Sequence, residues 1–430
     1  MSQILIKNAN LISMSENKEK IIYGIDVLIE NNLIKKIEKN INENVDKIID
    51  ATGKFLIPGL INTHAHIPMS IFRETVDGYK TQEWLEKKIW PMEEKLTEED
   101  AYNASMLSYI EMIKNGTTTI NDMYYLQNAT LKGAIDSGIR LQITRTLMDI
   151  DGSGEKRINE LEDFLQKYTN INERVSFNVG IHGLYTNSEE YVQRGIKIAK
   201  KYELPINLHF AENFQEVKDI KKIYNVESPV DVIEKYFKNV HLILAHCVKL
   251  LDEEIERISK LKVYVSHCPI SNLRLGCGIA NVLKMLENNL CISLGTDGQG
   301  SGSNLDMFET MKFTALLQKG ILEDPTQITS YEVLKMATIN GAKTLGLENK
   351  IGTIEQGKIA DLLILDLDMP NTRPINDIFS QIVYNVKGIN VDSTIINGKV
   401  LMENRKLQIE VNEKEIIRKC EDIINRINKI

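Results

Sequence analysis

Four short motifs at the ends of apolar, strand-like runs constrain the fold of this chain more than any other feature. They place polar side chains at His64 and His66, at His209 and Glu212, at His246, and at Asp297. In a (β/α)8 barrel the carboxyl ends of all strands meet at one face, so residues far apart in sequence become neighbours there. Several imidazoles and carboxylates on one face are typical of a metal site for hydrolysis.

Apolar runs alternate with helical stretches from Phe55 onward, which is the pattern of βα units. Eight strands are predicted, at 55–63, 117–122, 139–147, 175–182, 204–209, 240–246, 262–267 and 291–296. Helices are predicted after most of them, at 97–115, 161–168, 189–202, 230–237, 252–261 and 282–288. We therefore predict an α/β protein built on a (β/α)8 TIM barrel.

The two ends of the chain carry short β-like runs instead. Residues 1–54 predict a small antiparallel sheet, and an Asn397-Gly398 hairpin turn lies among further strands near the C-terminus. We infer that both ends pair into one small β-sandwich domain. The predicted domains are listed by range: 1–54 plus 350–405 for the sandwich, 55–349 for the metal-dependent barrel, and 406–430 for a C-terminal strand and helix tail, with the helix at 412–429.

Composition argues against several classes of function. The 430 residues are 43% hydrophobic, carry a net charge of −8, and contain no Lys/Arg block interleaved with aromatic residues. Neither nucleic acid nor a membrane is therefore an expected partner. The N-terminus lacks the pattern of a signal peptide, and no apolar run is long enough to span a bilayer. The five cysteines form no CxxC pair. A cytoplasmic protein without a disulfide framework is expected.

His64 and His66 can reach one cation together, because side chains two residues apart on a strand point to the same face. An isolated pair of this kind is more often two exposed strand-end histidines. The downstream His209 and Asp297 favour metal binding here. Imidazole ligands suit Zn²⁺ and also Fe²⁺.

Longer motifs resemble the amidohydrolase superfamily over nearly the whole chain. The run 58–66, which ends in the His64 and His66 pair, is similar to the end of that superfamily's first barrel strand. The later motifs match its later strands, and the run 352–362 resembles its return to the sandwich domain. Within the superfamily the chain resembles the aminohydrolases, and among them the methylthioadenosine/S-adenosylhomocysteine deaminases. That closer match rests on 83–85, 89–93, Arg145, Arg157 and His182.

The resemblance implies one metal ion per subunit, Zn²⁺ or Fe²⁺. Its ligands would be His64, His66, His209 and Asp297. A second ion is not expected, because the fourth strand ends in Gly180-Ile181-His182, without the bridging Lys of dinuclear members.

The resemblance also implies three catalytic residues. Glu212 would shuttle protons, Asp297 would be a ligand that also accepts a proton, and His246 would orient the attacking nucleophile. The plainer alternatives are a helix-start carboxylate for Glu212, a turn residue for Asp297, and a core histidine for His246. His241 is expected to be structural, at the opposite face of the barrel. His267 ends the seventh strand and receives no role.

Further residues are implied as substrate contacts, together with Glu212: Trp84, Trp90, Glu93, Arg145, Arg157, His182 and Ser301. The Glu93 carboxylate can accept hydrogen bonds from two ribose hydroxyls, and the guanidinium groups of Arg145 and Arg157 can bind a carboxylate. One Arg is expected from a neighbouring subunit of a homo-oligomer. The alternatives are a solvated helix charge for Glu93, core packing for the tryptophans, and a surface ion pair for Arg157.

The activity that follows is hydrolytic deamination of 5′-methylthioadenosine and S-adenosylhomocysteine, and also of adenosine, to inosine derivatives and ammonia. Hydroxide attacks C6 of the adenine ring while Glu212 protonates N1. Two alternatives stay open. One is another aminohydrolase of this fold, such as guanine or 8-oxoguanine deaminase or a triazine hydrolase. Glu93 and Arg145 argue against it, because a free base offers them no ribose or carboxylate. The other is a non-catalytic binding barrel, which would usually lack part of the metal set.

Overall fold

The computed structural model describes residues 2–15 and 20–428. Met1 and residues 16–19 of the predicted small domain lie outside the described residues, as do residues 429–430 of the predicted tail.

Eighteen strands are present in the described residues. They are β1 (Gln3–Leu11), β2 (Ile22–Glu30), β3 (Leu33–Glu38), β4 (Lys47–Asp50), β5 (Phe55–Pro58), β6 (Leu60–Ala65), β7 (Thr117–Tyr124), β8 (Arg140–Arg145), β9 (Val175–Phe177), β10 (Val179–Gly183), β11 (Ile206–Phe210), β12 (Leu242–His246), β13 (Val263–His267), β14 (Cys291–Leu294), β15 (Leu362–Leu365), β16 (Val391–Ile396), β17 (Lys399–Glu403) and β18 (Lys406–Leu407).

Seventeen α-helices accompany these strands in the same residues. They are α1 (Thr81–Trp84), α2 (Trp90–Glu93), α3 (Glu98–Lys114), α4 (Gln127–Ser137), α5 (Gly154–Tyr168), α6 (Glu189–Tyr202), α7 (Phe214–Tyr224), α8 (Pro229–Tyr236), α9 (Asp252–Ile258), α10 (Pro269–Arg274), α11 (Val282–Glu287), α12 (Gln299–Gly302), α13 (Met307–Leu322), α14 (Ser330–Met336), α15 (Ile339–Leu345), α16 (Ile378–Tyr384) and α17 (Glu413–Asn428).

The central strands form two parallel sheets of TIM-barrel type. Their orders are β6-β7-β8-β9 and β10-β11-β12-β13-β14. One seam carries a parallel bridge between Leu147 and Ile181. At the other seam the amide of Asp297 donates to the carbonyl of His64 at 3.0 Å. This arrangement confirms the mixed α/β class and brings the carboxyl ends of the strands together.

The first predicted strand, 55–63, is wrong as a single element, because it divides at Gly59. On one side β5 pairs antiparallel with β15, and on the other side β6 pairs parallel with β7. A Cβ atom at Gly59 would lie 2.1 Å from Oγ1 of Thr118. Glycine is therefore required where the chain passes from one sheet into the other.

The two ends of the chain meet in a nine-stranded sheet ordered β18-β17-β16-β15-β5-β1-β2-β3, with β4 beside β1, and β5 joins the N-terminal strands to the C-terminal ones. The N-terminal part is not purely antiparallel, because β1 pairs parallel with both β4 and β5. Asn397 and Gly398 have φ values of 53° and 72°, as a type I′ hairpin turn requires. Strands β5 and β18 extend this sheet beyond the ranges predicted for the small domain. The domain boundaries and the two-layer sandwich stay predictions.

Most predicted helices lie within a few residues of those observed. For α3, the side chain of Thr97 accepts from the backbone amide of Asp100, and the Asp100 carboxylate accepts from the backbone amide of Thr97. This capping box fixes the start of the helix. The C-terminal α17 packs on α3, where Lys114 Nζ lies 2.7 Å from Glu413 Oε1. Among the described residues no helix is long and apolar enough to cross a membrane.

Candidate active site

Four side chains from three strand ends converge on one point. The Nε2 atom of His209 lies 3.1 Å from Nε2 of His64 and 3.3 Å from Nε2 of His66. Oδ1 of Asp297 lies 3.1 Å from Nε2 of His66 and 3.6 Å from Nε2 of His64. Ligand atoms around a tetrahedral Zn²⁺ with bonds of ~2.0–2.1 Å stand about 3.3–3.5 Å apart. The nitrogens of His64, His66 and His209 can therefore hold a metal ion together, and Asp297 adjoins them through His64 and His66. A second triad of possible ligand atoms joins His64, His246 and Asp297.

The hydrogen bonds behind two of these rings fix their orientation. Nδ1 of His66 lies 2.6 Å from the carbonyl of Met123, and Nδ1 of His209 lies 2.5 Å from the carbonyl of His182. A carbonyl only accepts, so each Nδ1 carries a proton, which leaves Nε2 as the ring nitrogen that faces the cluster and that a metal ion would bind. This arrangement is typical of metal-ligating histidines.

Asp297 is held as a carboxylate. Burial would raise its pKa, but hydrogen bonds with His64 and His66 hold that pKa well below its usual range. The hydroxyl of Ser271 donates to Oδ2 at 2.5 Å, and the amide of Gly298 donates to Oδ1 at 2.9 Å. An anionic oxygen therefore faces the histidines, as a ligand carboxylate must.

Glu212 and His246 stand beside the cluster. Glu212 Oε1 lies 3.9 Å from Nδ1 of His246. Nδ1 in turn accepts from the side-chain amide of Asn272 at 2.9 Å, which leaves the proton of a neutral ring on Nε2. Burial, with the nearby charge of Asp297, raises the pKa of Glu212 to about 8. A carboxyl group of this kind can hold and release a proton near neutral pH.

Four residues at these strand ends adopt left-handed backbone conformations. The φ values are 50° at Ala211, 76° at His246, 52° at Cys247 and 63° at Asp297. Such values are uncommon for residues other than glycine and cluster at functional sites. The sharp turns aim the side chains of His246 and Asp297 inward at the cluster.

A cavity of about 360 Å³ opens in front of the cluster. Its volume lies within the range of small-molecule sites, about 300–1,000 Å³. All of the residues predicted to contact substrate line it: Trp84, Trp90, Glu93, Arg145, Arg157, His182, Glu212 and Ser301. These side chains therefore share one cavity, and their assignment as substrate contacts stays a prediction.

One helical segment carries three of these residues. Trp84 ends α1, a π-helical turn spans Leu85–Ile89, and α2 carries Trp90 and Glu93. Wide turns of this kind are frequent at functional sites because they turn side chains away from regular helical spacing. Burial raises the pKa of Glu93 to about 7.

Both predicted arginines reach the pocket of their own chain. Arg145 Nε donates to Glu160 Oε2 at 2.7 Å. Arg157 donates to the carbonyl of Met148 at 2.7 Å and to Asp151 Oδ2 at 2.6 Å. Both side chains line the cavity of their own chain, and the contribution of an Arg by a neighbouring subunit stays a prediction.

Sequence reasoning missed several contributors to the site. Tyr124 ends β7 and Tyr125 follows it, and both line the pocket. Ser271 and Asn272 hydrogen-bond to Asp297 and His246. The aromatic pair two residues beyond the predicted strand 117–122 was the available signal for the tyrosines.

The two remaining histidines lie away from the pocket wall. His241 Nε2 lies 2.7 Å from the carbonyl of Thr344, and its ring stacks on Tyr264, which fits a structural role. His267 is buried, and neither ring nitrogen has a hydrogen-bond partner among the described residues. Burial lowers the pKa of His267 to about 3, so that ring is neutral.

Comparison with known proteins agrees with this geometry. A 5′-deoxyadenosine deaminase of Methanococcus aeolicus is 40% identical over 94% of this chain and 95% of its own length. A 5-methylthioadenosine/S-adenosylhomocysteine deaminase of Caldanaerobacter subterraneus subsp. tengcongensis is 39% identical over 94% of each chain.

Among solved structures, an adenosine deaminase from Xanthomonas campestris with bound zinc superposes with a TM-score of 0.95. It is 26% identical, over 100% of this chain and 99% of that one. The model of the amidohydrolase family matches residues 55–401. The chain belongs to the amidohydrolase family.

Proposed function

We propose that this protein is a metal-dependent hydrolytic deaminase of adenine nucleosides, with 5′-methylthioadenosine, S-adenosylhomocysteine and adenosine as substrates. One observation carries the proposal: a four-donor cluster faces a buried carboxyl of raised pKa, Glu212, across one cavity. The names of the two relatives, both deaminases of adenine nucleosides, support it.

His64, His66, His209 and Asp297 would hold one Zn²⁺ or Fe²⁺. When bound, the ion supplies Lewis acidity that lowers the pKa of water towards about 7. No lysine stands at the end of β10, where the chain reads Gly180-Ile181-His182. That absence supports a site for one ion.

The protein's own groups then move the protons. Asp297 accepts a proton from the attacking water, whose oxygen adds to C6 of the adenine ring. Glu212 donates a proton to N1, then takes the proton of the new C6 hydroxyl and passes it to the departing amino group. The C6–N6 bond breaks, ammonia leaves, and the ring becomes hypoxanthine. Asp297 then releases the proton that it took from water, and Glu212 takes one up, which closes the cycle. His246 donates from Nε2 to the oxygen as charge develops on it.

The far wall of the cavity positions the nucleoside. Glu93 accepts from two ribose hydroxyls, and Trp84 and Trp90 cover the 5′-thioether. Arg145 and Arg157 bind the homocysteine carboxylate through hydrogen bonds of the charge-assisted kind. His182 and Ser301 contact the purine or ribose. A free base would leave Glu93 and both guanidinium groups without a partner, which argues against a guanine deaminase or triazine hydrolase activity.

We also propose the domain arrangement, the location in the cell and the oligomeric state. The two parallel sheets make one (β/α)8 barrel at 55–349, the nine-stranded sheet folds as a small sandwich from 1–54 and 350–405, and 406–430 is the tail. The protein works in the cytoplasm as a homo-oligomer, with a neighbouring subunit adding an Arg to the rim of the pocket.

A panel of adenine nucleosides and free bases tests the activity. Loss of absorbance at the adenine maximum is expected with 5′-methylthioadenosine, S-adenosylhomocysteine and adenosine. The proposal would be overturned if the protein converts guanine or a triazine and converts none of the three nucleosides.

A further inference from the structure

Glu216 is a buried carboxylate that belongs to none of the roles described above. It lies in the first turn of α7, and 3% of the residue is exposed. Its Oε1 atom accepts from the backbone amide of Ala211 at 2.8 Å, and its Oε2 atom accepts from the backbone amide of Glu212 at 2.7 Å. Burial and the nearby charge of Glu212 raise the pKa of Glu216 to about 7, and the two amide hydrogen bonds oppose that rise by stabilising the carboxylate.

The two amides that Glu216 binds belong to the turn between β11 and α7. Ala211 has a φ of 50°, which costs a residue with a Cβ roughly 1–2 kcal/mol. The carbonyl of Ala211 accepts from the amide of Lys249 at 2.8 Å. The loop after β12 therefore holds the carbonyl side of the Ala211–Glu212 peptide, whose amide side Glu216 binds. Glu216 thus stabilises a strained turn that would otherwise relax.

This turn sets where the Glu212 carboxylate stands. His209 is fixed from behind by the carbonyl of His182, and the chain must reverse within two residues to aim Glu212 into the same cavity. A displacement of about 1 Å at a reacting group can cost roughly a hundredfold in rate. The rate of the reaction therefore depends on the position of the Glu212 backbone, although Glu216 itself does not line the cavity.

We propose that Glu216 is a positioning residue for the deamination: it clamps the backbone amides of Ala211 and Glu212 and so holds the Glu212 carboxyl against the adenine ring. The inference rests on the proposed role of Glu212 as the proton shuttle. It differs from a purely structural role, which would change the amount of folded, metal-loaded protein and not the turnover of each loaded site.

The test compares Glu216→Gln with a matched control on the same helix, Asp219→Asn, whose carboxylate accepts from the side chain of Gln215. Gln keeps the size of Glu but presents an NH₂ group to one of the two amides. We expect kcat per bound metal to fall roughly ten- to a hundredfold in Glu216→Gln, with KM within about threefold, because a hydrogen bond to a charged group is worth that factor. Asp219→Asn should stay within about twofold.

A second variant checks the mechanism of the effect. Ala211→Gly removes the penalty of the left-handed backbone. Added to Glu216→Gln, it should recover part of the lost kcat, and this non-additivity would show that the two residues act on one turn.

The possible failures can be told apart. If Glu212→Gln retains normal turnover, the proposed role of Glu212 fails. If Glu212→Gln is inactive while Glu216→Gln keeps its kcat per bound metal within about twofold, only the present inference fails.

Discussion

Arg140 of the parallel strand β8 and Asp361, just before β15 of the nine-stranded sheet, form a buried ion pair joined by two hydrogen bonds. Arg140 Nε lies 2.6 Å from Oδ2 of Asp361, and Nη2 lies 3.0 Å from Oδ1. Both side chains are less than 5% exposed. Oδ1 also accepts from the amide of Asn397 in the hairpin turn. One carboxylate therefore joins the barrel strands, the sheet and its turn.

The first prediction is that Arg140→Met destabilises the protein by about 3–5 kcal/mol, because it leaves the charge of Asp361 buried without its cation. Chemical unfolding measures the change. Lys132→Met is the control, because Lys132 and Asp136 pair on an exposed helix surface and such pairs are worth ~0–1 kcal/mol. Equal losses in both variants would contradict the assignment of the buried pair.

The second prediction concerns the metal. A chelator should abolish activity, and Zn²⁺ or Fe²⁺ should restore it, with about one ion bound per chain, because the four donor atoms converge on one point. His66→Ala should lower metal content along with activity. Full occupancy by two ions would be inconsistent with a single site.

The third prediction is that Glu212→Gln keeps its metal while kcat falls by ~10²–10⁴-fold, the usual contribution of general acid–base catalysis. Metal analysis on the assayed sample separates loss of chemistry from loss of the ion. His246→Asn should also spare the metal and slow the reaction. Bound metal with nearly normal turnover in Glu212→Gln would place the proton shuttle elsewhere.

The fourth prediction separates the two substrates. Arg145→Met and Arg157→Met should lower kcat/KM for S-adenosylhomocysteine roughly ten- to a hundredfold, and should leave 5′-methylthioadenosine nearly unchanged, because only the former carries a carboxylate. Glu93→Gln should impair both, because both carry the ribose. Equal losses for both substrates in the Arg variants would assign those residues a structural role.

The fifth prediction follows from the raised pKa of Glu93, about 7. A raised pKa means that this carboxyl takes up its proton at higher pH than an ordinary Glu, so its capacity to accept two ribose hydroxyls is lost as pH falls through about 7. KM for 5′-methylthioadenosine should therefore rise roughly tenfold from about pH 8 to about pH 6, since about a tenth of the group stays ionised one pH unit below its pKa. In Glu93→Gln the KM should start high and vary little over this range.

The candidate site was more predictable from sequence than parts of the fold. Side chains such as His64 and Asp297 stand at the ends of strand-like runs, and a parallel barrel brings all such ends together whatever the helices between them do. Helices α4 and α13 were not predicted. Gly133, a poor helix former, lies inside α4, and α13 has apolar side chains on both its buried and its exposed faces, so neither sequence shows a clear one-sided period.

Other features could not be predicted because they depend on distant partners. The break at Gly59 exists because β5 pairs with β15, about three hundred residues away in the chain. Likewise, the sequence predicts that Glu216 is an ordinary charged residue on a helix. Only the fold shows that its carboxylate accepts from the amides of Ala211 and Glu212. The spacing of apolar residues along a sequence indicates which face of a helix or strand is buried. It does not indicate which backbone group a buried polar side chain contacts.

Conversion of 5′-methylthioadenosine by the metal-loaded protein in water enriched in oxygen-18 tests the proposed activity most directly. Mass spectrometry of the product and an ammonia assay are made on the same sample. Hydrolytic deamination predicts one oxygen-18 atom at C6 of the purine product and one ammonia released for each product molecule. An unlabelled product, or recovery of intact 5′-methylthioadenosine from protein with a full metal site, would contradict it.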